Sequence, residues 1–169
     1  MKPMPSQIQS AYIPFISPFI ANDSTPNLVY LAQCDTTAGL LSANAEILNR
    51  LKGRPKGQNV LLQVDSLQTL KPLTRTPAIH KNRIRKARLS TFIYPNKKAI
   101  RLVNKGLHTQ FFTSFKILYS TSANPTGEPF NQQWAEAKCD VIVFDRRSLR
   151  QGEASKIYKI NRCAIQRRR

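Results

Sequence analysis

Six short runs of apolar, β-branched and aromatic residues recur along this chain. They are LVYLAQ (28–33), NVLLQV (59–64), LSTFIY (89–94), FKILYST (115–121), CDVIVFD (139–145) and SKIYKI (155–160). Each is too short for a buried helix, and stretches rich in Gly, Pro, Asn and Ser separate them, so each reads as a strand. AIRLV (99–103) is either a further strand or the start of a helix, and periodicity does not separate the two. Helices are few. Ser42 as N-cap, with Ala45, Ile47, Leu48 and Leu51 at three-to-four spacing, predicts a helix over 43–52 that Gly53 and Pro55 stop. Shorter helices are expected from Ser66 to Leu70, limited by Pro72, and over 131–138. CDTTAGLL (34–41) reads as a turn that ends in apolar residues. Many strands with few short helices predict an α/β fold: one domain on a twisted mixed sheet flanked by a few helices.

The chain's 169 residues suffice for one sizeable core. Residues 1–26, punctuated by proline, read as an extension packed along the surface, and 27–169 as the domain. The apolar stretch AYIPFISPFI is broken by Pro14 and Pro18 and is too short to span a bilayer, which takes about 20 residues. With Lys2 its only early charge, it also lacks the form of a signal peptide, so a cytoplasmic protein without membrane attachment is expected. Cys34, Cys139 and Cys163 lie far apart with no C-x-x-C spacing, and His80 and His108 are unpaired, so no disulfide framework and no metal site is expected.

The charge balance is unusual: 27 Lys and Arg face 9 Asp and Glu, for a net +18. From Ser66 to Gly127 there is no acidic residue but there are twelve Lys and Arg, nine of them between Lys81 and Lys105. Such a balance suits a polyanionic partner such as RNA, or signifies only a basic proteome.

Three polar constellations interrupt the strands. KGRPKG (52–57) is a tight basic turn able to hold a polyphosphate, or a solvated helix end favoured by the helix dipole. YSTSANPTGEP (119–129) is a loop of small hydroxyl and amide residues, able to surround phosphate or sugar oxygens or to cap itself. CDTTAG (34–39) sets Asp35, Thr36 and Thr37 at a strand end, where open α/β sheets place ligands.

Taken in chain order, CDTTAG, then KGRPKG, then STSAN, the three resemble the motifs of the YrdC-type threonylcarbamoyl-AMP synthase family, from about Leu28 to the C-terminus. QCDTTAGL (33–40) stands where the family has P-T-D-T-V-Y-G-L, Lys52 and Arg54 match its K-x-R pair, and Ser122 and Asn124 its S-x-N pair. Thr91 in STFIY, Ile100–Arg101 with His108, Ser155 and the terminal arginines resemble its later segments. Gln33, Cys34 and Ala38 depart from the first motif, where Ala38 replaces a tyrosine, and the extension's Tyr12, Phe15 and Phe19 are candidates to refill that space.

The resemblance implies a YrdC-like fold and synthesis of threonylcarbamoyl-AMP from L-threonine, bicarbonate and ATP, with release of pyrophosphate, for tRNA modification. It implies Lys52, Arg54, Ser122 and Asn124 as catalytic residues that bind ATP together with Thr91 and Arg167. Asp35, Thr36, Ser120 and Ser155 would line the threonine side. Mg²⁺ would accompany ATP, held mostly by its phosphates. Partners would be tRNA or double-stranded RNA and the threonylcarbamoyl-transferase proteins of that pathway. The alternative is a non-catalytic RNA-binding domain on the same fold.

Overall fold

The computed structural model describes residues 28–169, so the expected extension, residues 1–26 with Tyr12, Phe15 and Phe19, lies outside the described residues. Nine strands form one mixed sheet: β1 (Tyr30–Gln33), β2 (Ala38–Ser42), β3 (Leu61–Val64), β4 (Ser90–Ile93), β5 (Ala99–Leu102), β6 (Ile117–Ser122), β7 (Val141–Val143), β8 (Lys156–Ile160) and β9 (Ile165–Arg167). Their spatial order is β7-β1-β2-β6-β3-β5-β4-β8-β9. The β1/β7, β3/β5 and β4/β8 pairs are parallel and the others antiparallel. Five short helices accompany them: α1 (Ala45–Leu51), α2 (Leu67–Leu70), α3 (Lys81–Lys86), α4 (His108–Phe112) and α5 (Gln132–Glu136).

Strand alternation divides the sheet into two chemically different faces. One carries Leu31, Leu40, Leu62, Phe92, Ile100 and Ile160, all buried in two apolar clusters with Leu48 of α1, Ala135 of α5, Leu70 of α2 and Ile84 of α3. On the other, Ala32, Cys34, Leu41, Val103 and Leu118 pack with Phe112 of α4. Further along that second face the side chains turn polar: Ser120 follows Leu118 two residues on, Gln63 flanks Leu62, Thr91 flanks Phe92 and Arg101 flanks Ile100. This polar half is the floor of the candidate site.

All seven strand-forming runs are present, and AIRLV resolves as β5. Helix α1 starts two residues later than Ser42 as N-cap would place it. Ser42 closes β2, and the Asn44 side chain instead accepts from Glu46 N–H at 2.9 Å. Gly53, at φ +63, lets the chain leave the helix where a side chain is disfavoured. Ser66 caps α2 as its hydroxyl accepts from Thr69 N–H. The stretch read as a turn, 34–41, instead turns at 35–37 and then enters β2. Gly39 permits this: a Cβ there would meet Cys34 Sγ at 2.9 Å and the Thr121 carbonyl at 3.2 Å. Helices α3 and α4 and strand β9 were not expected, since α3 buries only Ile84 and α4 spans a little over one turn.

Candidate functional site

A cavity of about 400 Å³ opens over the polar half of the sheet, a size suited to a small molecule. Its floor takes residues two apart on successive strands: Ser120 and Ser122 of β6, Leu61 and Gln63 of β3, Ala99 and Arg101 of β5, Thr91 and Ile93 of β4. Thr36 and Thr37 of the β1–β2 turn border it, Arg54 and Asn124 come from the basic turn and the STSAN loop, and Gln151 to Ser155 with Arg169 close a further wall. Among the described residues, Arg54, Arg101 and Arg169 thus line one cavity, and Glu128 is the one acidic side chain in its lining.

Arg101 organises the floor. It is 4 % exposed. Its Nη1 donates to Asp35 Oδ1 at 2.9 Å and to Thr36 Oγ1 at 3.0 Å, while Nε and Nη2 both donate to Thr91 Oγ1 at 3.3 Å. The Thr91 hydroxyl also shares a hydrogen bond with Ser155 Oγ at 3.2 Å. Ser155 is tied to the chain end in turn, its carbonyl accepting from Arg169 Nε at 3.3 Å. One buried cation therefore fixes the polar ends of β1, β4 and β8.

The basic turn and the STSAN loop are stitched together. Lys52 is 7 % exposed. Its ammonium donates to the Ser122 carbonyl at 3.1 Å, to the Asn124 carbonyl and, at 3.3 Å, to Asn124 Oδ1. Thr126 Oγ1 returns a bond to the Lys52 carbonyl at 3.0 Å. Asn124 Nδ2 donates to the Pro125 and Glu128 carbonyls, so its amide shapes its own loop. Asn49 braces the turn from the helix side: its carbonyl accepts from Arg54 N–H at 2.9 Å and its amide donates to the Gln58 carbonyl at 2.9 Å. Burial, and then the neighbouring Arg54 charge, pull the Lys52 ammonium down to about 8.

Among the residues expected at the site, Arg54, Thr91, Ser122, Asn124, Thr36, Ser120 and Ser155 all border the cavity. Lys52 and Asp35 stand behind its lining, Lys52 holding the STSAN loop and Asp35 holding Arg101. Arg167 lies on β9, exposed and paired with Tyr158; the arginine that lines the cavity is Arg169, two residues on. Ala38 is wholly buried in the core behind β2 and borders no part of the cavity, so its small size leaves no gap there.

Sequence reasoning gave Arg101 no role, although alternation along AIRLV opposes it to the buried Ile100. It also missed Gln63, which accepts from His108 Nε2 at 2.9 Å and points its own amide at Cys34 Sγ, 3.9 Å away. Burial lowers His108 to about 4 and raises the Cys34 thiol to about 12, so the imidazole is neutral and the thiol unactivated at neutral pH. No group of three metal-ligating side chains occurs among the described residues. No helix among them is long and apolar enough to cross a membrane.

The Sua5/YciO/YrdC family profile, described as "Telomere recombination", matches residues 29–168. No curated protein matches the chain. Among solved structures, the chain resembles P. abyssi Sua5 complexed with L-threonine, with a TM-score of 0.65 at 16% identity over 85% of this chain and 50% of that one. E. coli YciO gives a TM-score of 0.65 at 14% identity over 85% of this chain and 82% of that one. A full-length HypF in phosphate- and nucleotide-bound form gives 0.64 at 14% identity, over 83% of this chain and 26% of that one. The chain spans about half the length of the Sua5 structure, and at these identities the likeness is one of fold. The profile covers nearly the whole described domain, and the chain belongs to the Sua5/YciO/YrdC family.

Proposed function

We propose that this protein forms threonylcarbamoyl-AMP from L-threonine, bicarbonate and ATP, releasing pyrophosphate. The observation that carries this reading is the cavity lining: Arg54, Arg101 and Arg169 converge among the hydroxyls of Thr36, Thr91, Ser120, Ser122 and Ser155, with Glu128 the one acidic side chain among the described residues. Such a lining suits an anionic ligand that also needs hydrogen-bond partners. The proposed chemistry needs little more. The threonine amine must add to carbon dioxide, formed from bicarbonate by loss of water, and give up a proton; the carbamate oxygen must then attack the α-phosphorus as pyrophosphate leaves. Both steps call for positioning and charge neutralisation. Arg54, which lines the cavity, would neutralise the phosphates. Thr36 and Ser155, held by Arg101 directly or through Thr91, are placed for the amino-acid side. Lys52 contributes by holding the STSAN loop. Mg²⁺ would neutralise phosphate charge when bound. With a single acidic side chain in the lining among the described residues, the phosphates would supply most of its ligands and Glu128 at most one.

Pyrophosphate release by the purified protein, with ATP, Mg²⁺ and bicarbonate and with or without L-threonine, tests the reading. Threonine-dependent release that Arg54→Ala abolishes is the expected result. Release that ignores threonine, or none from folded protein, overturns it.

The second reading is a binding module for tRNA or double-stranded RNA. The observation behind it is that every Lys and Arg of the acid-free stretch except Arg101 is exposed. Arg83 of α3 lies over the Tyr158 ring at 5.0 Å. Affinity for duplex RNA that falls steeply with salt and ignores Arg54→Ala would favour this module.

A further inference from the structure

The cavity wall from Gln151 to Ser155 belongs to 144–155, a long connection between β7 and β8 that has no regular secondary structure of its own. Such segments sit at the low-stability end of a fold unless something holds them. Here hydrogen bonds hold it to the ends of β1 and β2, to Phe130 just beyond the STSAN loop and, at Ser155, to Thr91 of β4. Gln33, 5 % exposed, accepts from Arg150 N–H through Oε1 at 2.9 Å. The Arg150 carbonyl accepts in return from Ala38 N–H at 2.9 Å. Arg147 spreads its guanidinium over two carbonyls that β1 leaves at its end, Gln33 O at 2.7 Å and Cys34 O at 3.2 Å, while Asp145 pairs with its other edge. Gln151 Oε1 accepts from Phe130 N–H at 3.0 Å, which ties the wall to the far side of the cavity.

The fit leaves no slack. A Cβ on Gly152 would lie 1.7 Å from the Thr36 carbonyl oxygen, so the wall rests directly on the turn that presents Thr36. Beyond Gly152, the wall ends at Ser155, whose hydroxyl meets Thr91 and whose carbonyl receives Arg169. A shift of the wall therefore moves a hydroxyl and a guanidinium of the cavity together. Gln33 stands at a position where the family motif quoted above has proline, which could offer no side-chain acceptor.

We infer that Gln33 and Arg147 are positioning residues that clasp the 150–155 wall onto the first motif and so set the amino-acid side of the cavity. This rests on the synthase reading for its substrate, and on the hydrogen bonds alone for its mechanics. The two parts fail separately.

The test uses the full chain, as wild type and as Gln33→Leu, Gln33→Glu and Arg147→Met. Hydrogen exchange is followed at the Ala38 and Arg150 amides and across β3 and β5. Steady-state pyrophosphate release is followed against L-threonine and against ATP. Gln33→Leu is expected to raise KM for threonine about tenfold, the scale of one lost hydrogen bond, and KM for ATP by clearly less. The Ala38 and Arg150 amides lose protection while β3 and β5 keep theirs. Gln33→Glu keeps the acceptor for Arg150 N–H but loses the donor to the Cys34 carbonyl and buries a charge, so it is expected to fall between wild type and Gln33→Leu. If Gln33→Leu does not fold, Arg147→Met is read in the same way. Unchanged exchange at the two amides overturns the clasp. So does a uniform loss of protection through β3 and β5, or an equal rise in both KM values. Wild type that releases no pyrophosphate overturns the synthase reading, and the exchange pattern still decides the clasp.

Discussion

The Lys52 ammonium donates to the Ser122 backbone carbonyl across 3.1 Å, joining two loops that lie 70 residues apart in the chain. Thr126 answers with a bond to the Lys52 carbonyl, so each loop bonds to the other's main chain. A lysine in a tight basic turn beside a polar cavity would ordinarily be read as a candidate phosphate ligand. This one spends its donors on carbonyls and leaves the cavity to Arg54.

Lys52→Met keeps much of the buried stem and removes the donors. It leaves the Ser122 and Asn124 carbonyls without this partner, at a cost of about 1–3 kcal/mol. The STSAN loop then loses its register against Arg54. Pyrophosphate release is expected to fall at least about a hundredfold, the scale that a 1 Å misplacement brings. Thermal denaturation and turnover check the two effects together. A variant that loses turnover with no loss of stability would identify Lys52 as a direct phosphate ligand.

Arg101 and Asp35 form a pair whose side chains are 5% and 16% exposed. Removing one partner of such a pair leaves a charge in a poorly solvated place, at about 3–5 kcal/mol. Arg101→Ala is expected to show a loss of this order in urea unfolding and no turnover, because Thr36 and Thr91 lose their common donor. Asp35→Asn keeps an acceptor for Arg101 and removes the charge. It is expected to lose less stability than Arg101→Ala. Equal losses would mean that the ion pair, rather than the hydrogen-bond geometry, holds the floor.

The fold was legible wherever burial imposed alternation. Phe92 beside Thr91 and Ile100 beside Arg101 divide the sheet into a core face and a cavity face, and both runs read as strands or possible strands on that basis. The elements missed are those whose sequence carries no period. Only Ile84 anchors α3, and β2 hides in a stretch whose glycine reads as a turn until Cys34 and Thr121 are seen against it. Composition and order singled out Arg54, Ser122 and Asn124. The roles of Lys52 and Asp35 depend on where their side chains point, which spacing cannot convey. The difference between Arg167 and Arg169 is a matter of register in a short edge strand. Gln33 looked like erosion of a motif because its partner, Arg150 N–H, is 117 residues away.

His108 predicts a specific pH dependence of stability. Burial lowers it from the usual 6.5 to about 4, so between these values the folded protein holds fewer protons than the unfolded chain. Stability therefore falls as pH drops from about 6.5 to about 4, by at most about 3 kcal/mol from this group. His108→Gln retains an amide donor for Gln63 and cannot titrate. It is expected to be less stable at pH 7 by about 1 kcal/mol, a typical cost of a buried substitution. Its urea midpoint should change less than that of wild type between pH 6.5 and pH 4.5. The same slope in both proteins would assign the acid sensitivity to the carboxylates instead.

Gly152→Ala probes the contact on which the wall rests. The added methyl would lie 1.7 Å from the Thr36 carbonyl oxygen, and the obstacle is backbone, so no side-chain rotation relieves it. The chain must separate 150–155 from the β1–β2 turn, which breaks the Ala38 N–H bond to the Arg150 carbonyl and moves Ser155 away from Thr91. Overpacking of this kind costs about 1–3 kcal/mol. The loss is expected to be local, because the turn and the wall are bound to the sheet by separate strands. Melting should shift modestly, the Ala38 amide should lose protection, and threonine-dependent pyrophosphate release should drop at least about tenfold. Alanine at Gly106, away from the cavity lining, is the control. That position has nothing within 4 Å of a Cβ, and its cost is the left-handed backbone alone, at φ +94. Equal loss of threonine-dependent turnover in the two variants would show that the contact between Gly152 and Thr36 plays no special part in shaping the cavity.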